Sequence, residues 1–227
     1  MFEAFIGSVE GPYHRQKNLP NQDYVHIHEE EGWFFGAVAD GAGSLPFSDQ
    51  GAWIVASTAI EAMTDARKNL DLEKLLEYGI AAARDQILKK EDHKNFGSTL
   101  TLLVLSETGE WGVASVGDSF AVIHGEDGSH TLVTAGGSGE FANITELITS
   151  KEINIVVQTG TDALAVSLST DGLEGVGILK GEAHGGFWDG IRDKAVDGSL
   201  QVDKLFRWLD SLEKLVDDTT LLTVARR

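Results

Sequence analysis

The amino-acid sequence predicts an α+β fold in which two antiparallel β-sheets pack face to face and are flanked by helices. Apolar runs of strand length occur in groups joined by short polar turns, and segments with helical spacing occur in separate blocks. Strands and helices therefore do not alternate as they would in a parallel βαβ fold. The apolar strands are numerous enough for two packed sheets. No linker or internal repeat is visible, so we expect residues 1–227 to form a single domain.

The first part of the chain is predicted to contain strands followed by two helices. Period-two alternation or a continuous apolar run indicates each strand, and apolar residues on one helical face indicate each helix. The predicted elements are a strand at 2–9, a polar loop at 14–23, strands at 24–28 and 33–39, a helix at 48–68, and a helix that Asp71 caps and that ends near Lys90.

The second part begins with an antiparallel meander and ends with helices and a final strand. The predicted elements are strands at 98–105, 111–116, 120–124 and up to 133, a flexible loop at 135–139, a short helix at 144–148, strands at 153–158 and 163–170, helical segments at 187–195 and 202–216, and a strand at 219–225. Core-like positions predict a packing role for all the tryptophans, which are Trp33, Trp53, Trp111, Trp188 and Trp208.

Composition excludes several classes of function. The 36 acidic and 18 basic residues give a formal charge of −18, which argues against nucleic acid or an anionic membrane as the main partner. The absence of cysteine excludes disulfides, thiolate nucleophiles and cysteine-based metal sites. No apolar span is long enough to cross a bilayer, and the first residues lack a basic n-region, so we expect a cytoplasmic protein.

Aspartates flank three of the predicted strands. Asp40 and Asp171 each follow an apolar run and precede a glycine, whereas Asp217 stands just before the last strand. A single Asp-Gly pair is typical of an ordinary turn, so its recurrence is the informative feature. In an antiparallel sheet the end of one strand lies beside the start of its neighbour. Asp40, Asp171 and Asp217 are therefore predicted to meet at one sheet edge, where their oxygens suit hard cations.

Six short motifs occur in an order that resembles the metal-dependent serine/threonine protein phosphatases of type 2C, most closely their compact bacterial branch. The likeness spans about Gly7 to Ala225. The motifs are Asn21-Gln22-Asp23, Val38-Ala39-Asp40-Gly41-Ala42-Gly43, Gly97-Ser98-Thr99, Gly117-Asp118-Ser119, Thr170-Asp171-Gly172-Leu173 and Asp217-Asp218-Thr219-Thr220.

The resemblance implies a two-metal site at one edge of a central pair of sheets. It implies Asp40 as the carboxylate that bridges both ions and Gly41 as a carbonyl ligand. Asp171 and Asp217 match the other ligands of the first ion. Asp217 is preferred to Asp218 because the family pattern is an aspartate, a polar residue and one further position before a threonine, here Thr220. The two remaining positions are Asp118, which matches the site of a third, weaker ion, and Asp23, which matches the acidic residue that orients metal-bound water or ligates through it.

The implied activity is hydrolysis of phosphoserine or phosphothreonine on proteins with two Mg²⁺ or Mn²⁺ ions. Two such ions supply a nucleophilic water at neutral pH and shield the developing phosphate charge. By the resemblance, a metal-bound hydroxide attacks phosphorus in line without a phosphoenzyme, with Asp23, Asp40 and Asp171 as the catalytic carboxylates. We expect a monomer that acts on a phosphorylated protein, with a partner kinase.

The chain departs from the family pattern at several positions. Gln22 stands where Glu is frequent, Ala42 where a histidine is common, and Phe120 where an arginine is usual. The phosphate-binding arginine of larger relatives aligns near Asn18, and the residues that could replace it are His14, Arg15 and Lys17. These departures favour one alternative, a catalytically weak or inactive regulatory or binding module with this fold. A second alternative is a metal-dependent phosphoesterase for small molecules.

Overall fold

The computed structural model describes residues 1–135 and 145–227 of the protein. The strands are β1 (Phe2–Val9), β2 (Asp23–Glu30), β3 (Trp33–Asp40), β4 (Leu100–Ser106), β5 (Trp111–Val116), β6 (Phe120–Gly125), β7 (His130–Thr134), β8 (Val156–Gly160), β9 (Ala163–Ser169), β10 (Ile178–Leu179), β11 (Glu182–Ala183) and β12 (Thr219–Arg226). The helices are α1 (Pro12–Lys17), α2 (Ser48–Ala66), α3 (Leu72–Leu88), α4 (Glu174–Gly177), α5 (Gly185–Asp197) and α6 (Val202–Ser211).

These elements form four layers. One five-stranded sheet has the order β2-β3-β4-β5-β8, and the other has the order β1-β12-β9-β6-β7. Every pairing between neighbouring strands of the two sheets is antiparallel. Helices α2 and α3 pack on the first sheet, and α5 and α6 pack on the second. The predicted α+β fold, with two packed antiparallel sheets between helices, is confirmed.

Alternation along the central strands explains why they read as continuous apolar runs. On β3, Phe35 and Ala37 face the core beneath α2 and α3, whereas Phe34 and Val38 face the second sheet. Successive side chains of a strand point to opposite faces, so a strand that is covered on both faces needs apolar residues throughout. Strand β3 is therefore packed on both faces, so the backbone position of its last residue, Asp40, is well fixed.

Four predicted elements differ in the structure. The helical segment predicted at 202–216 ends at Ser211. The polar loop predicted at 14–23 contains α1, because Pro12 at the first helical position presets the helical φ and the six-residue helix is too short to show a period. The strand predicted at 153–158 begins only at Val156. Of the short helix predicted at 144–148, residue 144 lies outside the described residues and 145–148 are not helical. The loop predicted at 135–139 also lies outside them, apart from Ala135.

The prediction that all the tryptophans serve packing is wrong for two of them. Trp53 on α2 is 53% exposed and Trp208 on α6 is 55% exposed. Both lie on helix surfaces that the neighbouring elements leave uncovered. Within the described ranges, the helices are too short or too polar to span a membrane.

The start of α2 is fixed by a close backbone approach at Gly51. The Phe47 amide donates to the Asn95 carbonyl at 3.1 Å, and a Cβ on Gly51 would lie 2.0 Å from the carbonyl oxygen of Phe96. Only glycine permits this approach, which places α2 directly against the backbone that leads into β4.

We expect Gly51→Ala to destabilise the protein by about 1–3 kcal/mol, because the added methyl group overlaps the backbone. Gly190→Ala on α5 is the matched control, since a Cβ there meets no atom within 4 Å. That change is expected to stabilise by up to about 1 kcal/mol through helix propensity. Urea unfolding of both variants measures the difference, and equal stability would contradict the close approach.

Candidate metal centre

Asp40 ends β3 with its backbone tied on both sides to Thr99. Its carbonyl accepts a hydrogen bond from the Thr99 amide at 2.8 Å, and its amide donates to Thr99 Oγ1 at 3.0 Å. Thr99 Oγ1 is in turn 2.8 Å from Ser119 Oγ, which follows Asp118. The motifs around residues 97–99 and 117–119 therefore hold the Asp40 backbone, and its carboxylate is left for the cavity beside it.

Gly41 follows Asp40 at a point where no side chain fits. A Cβ there would lie 2.7 Å from the carbonyl oxygen of Gln22 and 2.8 Å from the carbonyl of Ser48. The Gly41 amide donates to the same Gln22 carbonyl at 3.1 Å. The glycine lets the start of α2 and the start of β2 both approach the end of β3.

Asp171 and Asp217 come from the second sheet. Strands β9 and β12 are neighbours, and beyond their ladder the Thr170 amide donates to the Thr220 carbonyl at 3.2 Å. Asp171 follows β9 and Asp217 precedes β12, as the antiparallel argument predicts. Asp40 belongs to the other sheet, however, so the three carboxylates meet at one end of the sandwich and not along the edge of a single sheet. The earlier expectation of one sheet edge is corrected in that respect.

The carboxylates surround a cavity of about 250 Å³. One oxygen from each of Asp40, Asp118 and Asp171 lies within 4.8 Å of the others, a grouping that could hold a metal ion. Gly41 and Asp217 line the same cavity. The structure thus brings together five of the six residues that sequence reasoning selected.

Asp23, the sixth, lies behind Asp40. The two residues are cross-strand partners in the β2–β3 ladder, and Asp23 Oδ2 accepts a hydrogen bond from Thr170 Oγ1 at 2.8 Å. Asp23 is partly buried and is not among the residues that line the cavity.

The crowded carboxylates have raised pKa values. Burial raises the pKa of Asp171 to about 7, with further contributions from the charges of Asp118 and Asp217. Burial is also the main cause that raises the pKa of Asp23 to about 7. The pKa of Asp40 lies well above its usual range, because the side chain is buried and four other aspartates surround it. Without a counter-charge, the cluster resists full ionisation.

Several buried oxygens at this end of the sandwich have no hydrogen-bond partner within the described part of the chain. They are Gln22 Oε1, Asp23 Oδ1, Asp118 Oδ1 and Asp171 Oδ1. Buried polar atoms are nearly always satisfied in folded proteins, so a group of orphaned acceptors calls for a ligand that accepts electron pairs. Hard cations such as Mg²⁺ and Mn²⁺ take carboxylate and amide oxygens, and the donor set fits them.

Sequence reasoning missed the role of Asp218. Its carboxylate is 3% exposed and accepts hydrogen bonds from the Gly11 amide, the Gln22 amide and His14 Nδ1, each at 2.7 Å. It thereby joins α1 and the start of β2 to β12. An acidic residue next to a buried strand was visible in the sequence, but the partners lie about 200 positions away.

His14 is the basic side chain that reaches the cavity. It is 4% exposed, and its ring lines the cavity beside Gly43. Arg15 instead pairs with Asp210 at 2.7 Å on the surface, and Lys17 is exposed. Of the three residues considered as substitutes for a phosphate-binding arginine, only His14 is among the residues that line the cavity.

The family model described as Protein phosphatase 2C matches residues 10–220. No curated protein sequence matches the chain at a significant level.

Solved structures with the same fold include bacterial phosphatases. The serine/threonine phosphatase Stp1 from Staphylococcus aureus has a TM-score of 0.70 and 18% identity, over 100% of this chain and 96% of that chain. The Mycobacterium tuberculosis phosphatase PstP/Ppp has a TM-score of 0.67 and 16% identity, over 99% of this chain and 98% of that one. RsbX in complex with magnesium has a TM-score of 0.63 and 16% identity, over 100% and 96% of the two chains.

We expect the chelator-treated protein to lose stability as pH rises from about 4 to 7. Asp23 and Asp171 have folded-state pKa values of about 7 against 3.8 for an ordinary aspartate, so the folded state holds protons that the unfolded state has released. Folding is then opposed increasingly as pH rises through that window. Urea unfolding between pH 5 and 7.5 measures the slope.

Asp171→Asn removes one of these carboxylates, and it should flatten the slope and raise the unfolding free energy at pH 7.5. Asp65→Asn, an exposed change on α2, is the control that should leave both unchanged. A wild-type slope in Asp171→Asn would contradict the raised pKa.

Proposed function

Because this chain belongs to the protein phosphatase 2C family of metal-dependent serine/threonine protein phosphatases, we propose that it hydrolyses phosphoserine and phosphothreonine on a partner protein with two Mg²⁺ or Mn²⁺ ions. The observation that carries the proposal is the convergence of the Asp40, Asp118 and Asp171 oxygens within 4.8 Å of one another. The aspartates at positions 23, 40, 118, 171 and 217 support the enzyme over a binding-only module, although Gln22 replaces a frequent glutamate of the family. We further propose a cytoplasmic monomer with a partner kinase.

We assign the ligand roles as the resemblance implies them. Asp40 would bridge two ions, the Gly41 carbonyl, Asp171 and Asp217 would complete the first ion's protein ligands, and Asp118 would hold a third ion more weakly. Ions bound there would lower the pKa of a coordinated water and screen negative charge on the phosphate. The orphaned oxygens of Asp118 and Asp171 support this assignment.

Asp23 would act on a water molecule at the metal site from its position on strand β2 beside Asp40. Its Oδ2 is held by Thr170, whereas its Oδ1 is buried without a partner among the described residues. That free oxygen is suited to orient a water molecule next to the cluster. We therefore assign Asp23 to water positioning.

His14 is proposed to donate the proton that the leaving serine or threonine oxygen needs. Its Nδ1 is 2.7 Å from Asp218 Oδ2, so an ionised Asp218 holds the Nδ1 proton and leaves proton exchange to Nε2. The structure shows no hydrogen bond from Nε2 to the described residues, and the ring lines the cavity. His14 would thus supply a proton where Ala42 cannot.

Activity on a phosphothreonine peptide should require added Mn²⁺ or Mg²⁺ and vanish in EDTA. Asp40→Asn and Asp171→Asn should each lower kcat at least about a hundredfold, because each removes a charged ligand. Asp65→Asn is the control, and circular dichroism checks that the variants fold. Full turnover in chelator would overturn the two-metal proposal.

His14→Asn should slow hydrolysis of the phosphothreonine peptide by about 10²-fold or more but leave hydrolysis of p-nitrophenyl phosphate nearly unchanged. An alkoxide must be protonated as it leaves, whereas nitrophenolate is stable without a proton. Asparagine keeps a donor near the position of Nδ1, so Asp218 stays paired.

His93→Gln, a change in the short 93–96 turn, is the control for the histidine variant. An equal loss on both substrates would show that His14 has only a structural role. No turnover of either substrate by the wild type would instead contradict the phosphatase proposal itself.

A further inference from the structure

A second, larger groove of about 890 Å³ lies between α5, α6 and the segment at 175–179. Its lining is mostly apolar and includes Leu179, Phe187 and Trp208. Leu179 is 54% exposed and Trp208 is 55% exposed, although both belong to the types that folding usually buries. The groove is lined by none of the cavity carboxylates, so it is a separate feature of the surface.

Helix α6 and the residue after it carry a broad apolar surface. Val202, Phe206 and Leu209 are buried against the second sheet. Leu205, Trp208 and Leu212, the last of which follows the end of α6, line the groove together with Leu209, and Leu205 also packs against the core. Trp208 is 55% exposed and Leu212 is 49% exposed, so the described part of the chain leaves this side of the apolar surface uncovered. Contiguous exposed apolar surface of this kind marks an interaction site.

The lysine side chains that line the groove are opposite in charge to the protein as a whole. Lys194, Lys204 and Lys214 line the groove, and no aspartate or glutamate does, although the chain has 36 acidic and 18 basic residues. Across residues 1–135 and 145–227, none of these lysines forms an ion pair. A cluster of unpaired lysines beside exposed apolar residues complements carboxylates on an apolar partner.

We propose that this groove docks an acidic amphipathic helix of a partner protein. The apolar face of that helix would pack on Leu205, Trp208 and Leu212, and its carboxylates would meet the three lysines. A helix that docks in a groove carries its own apolar anchors at spacings of three and four residues. The proposal stands on the groove alone and does not depend on the phosphatase activity.

The probe is a fluorescein-labelled, helix-forming peptide of about 18 residues, long enough to form a helix on binding, with leucine on one face and glutamate elsewhere. We expect saturable anisotropy changes that weaken with added salt. Two matched peptides, one with lysine for glutamate and one with glutamine for leucine, should not bind. Equal binding of the acidic and basic peptides would overturn the proposal.

Trp208→Ala should weaken binding of the acidic peptide at least about tenfold, since a large aromatic anchor is lost. Trp53→Ala is the matched control, because Trp53 is 53% exposed on α2 and does not line the groove. Lys204→Glu should also weaken binding, whereas Lys151→Glu at an exposed position outside the groove should not. Equal effects of the two tryptophan changes would refute the assignment.

Sedimentation velocity distinguishes a second copy of the chain as the occupant. We expect wild type and Trp208→Ala to have the same sedimentation coefficient over a range of concentrations. Self-association that Trp208→Ala abolishes, together with no binding of the acidic peptide, would overturn the proposal in favour of a homodimer.

Discussion

Mutual repulsion of carboxylates at one end of the sandwich is the constraint around which this structure is organised. Asp40, Asp118 and Asp171 approach within 4.8 Å, and Asp217 lies nearby. Thr145 Oγ1 donates to Asp118 Oδ2 at 2.5 Å, but Asp118 Oδ1 and Asp171 Oδ1 have no partner among the described residues. The backbone ladders of two sheets and the cores on both sides of them must therefore offset the repulsion. The rigid sheets and their cores thus hold the carboxylates in position.

Two adjacent aspartates show how closely the environment decides the role of a side chain. Asp217 is exposed at the cavity, whereas Asp218 is buried and saturated by three hydrogen bonds. They differ because successive residues at the start of a strand point in opposite directions. Asp218 consequently connects distant segments of the chain through its hydrogen bonds. Removing its partners would leave a buried acceptor unsatisfied, a defect that costs about 1–3 kcal/mol.

The sequence was sufficient for the fold class and for most of the cavity, and the physical reasons are specific. Strands β3 and β4 can be recognised in the sequence as long apolar runs because both faces of each strand are covered. The aspartates at strand ends can be recognised because the apolar run stops there. The assignment of Asp40 to one sheet and Asp171 to the other was not visible, since strand order depends on pairing between distant segments. The short helix α1 was missed because six residues show no period, and the contact between His14 and Asp218 because local patterns do not encode partners that lie 204 residues apart.

The origin of the carboxylates in two different sheets has a consequence for ion selectivity. Between the sheets lies a layer of apolar side chains that form one buried cluster, among them Phe34, Val38, Leu168 and Leu222. The distance between Asp40 and Asp171 therefore depends on the thickness of that apolar layer, together with the hydrogen bond from Thr170 to Asp23 that joins the sheets at this end. Mg²⁺ demands shorter and more regular coordination than larger divalent ions do. The volume of the buried apolar side chains would thus influence which divalent ion fits between the carboxylates, although these side chains are not among the residues proposed to hold it.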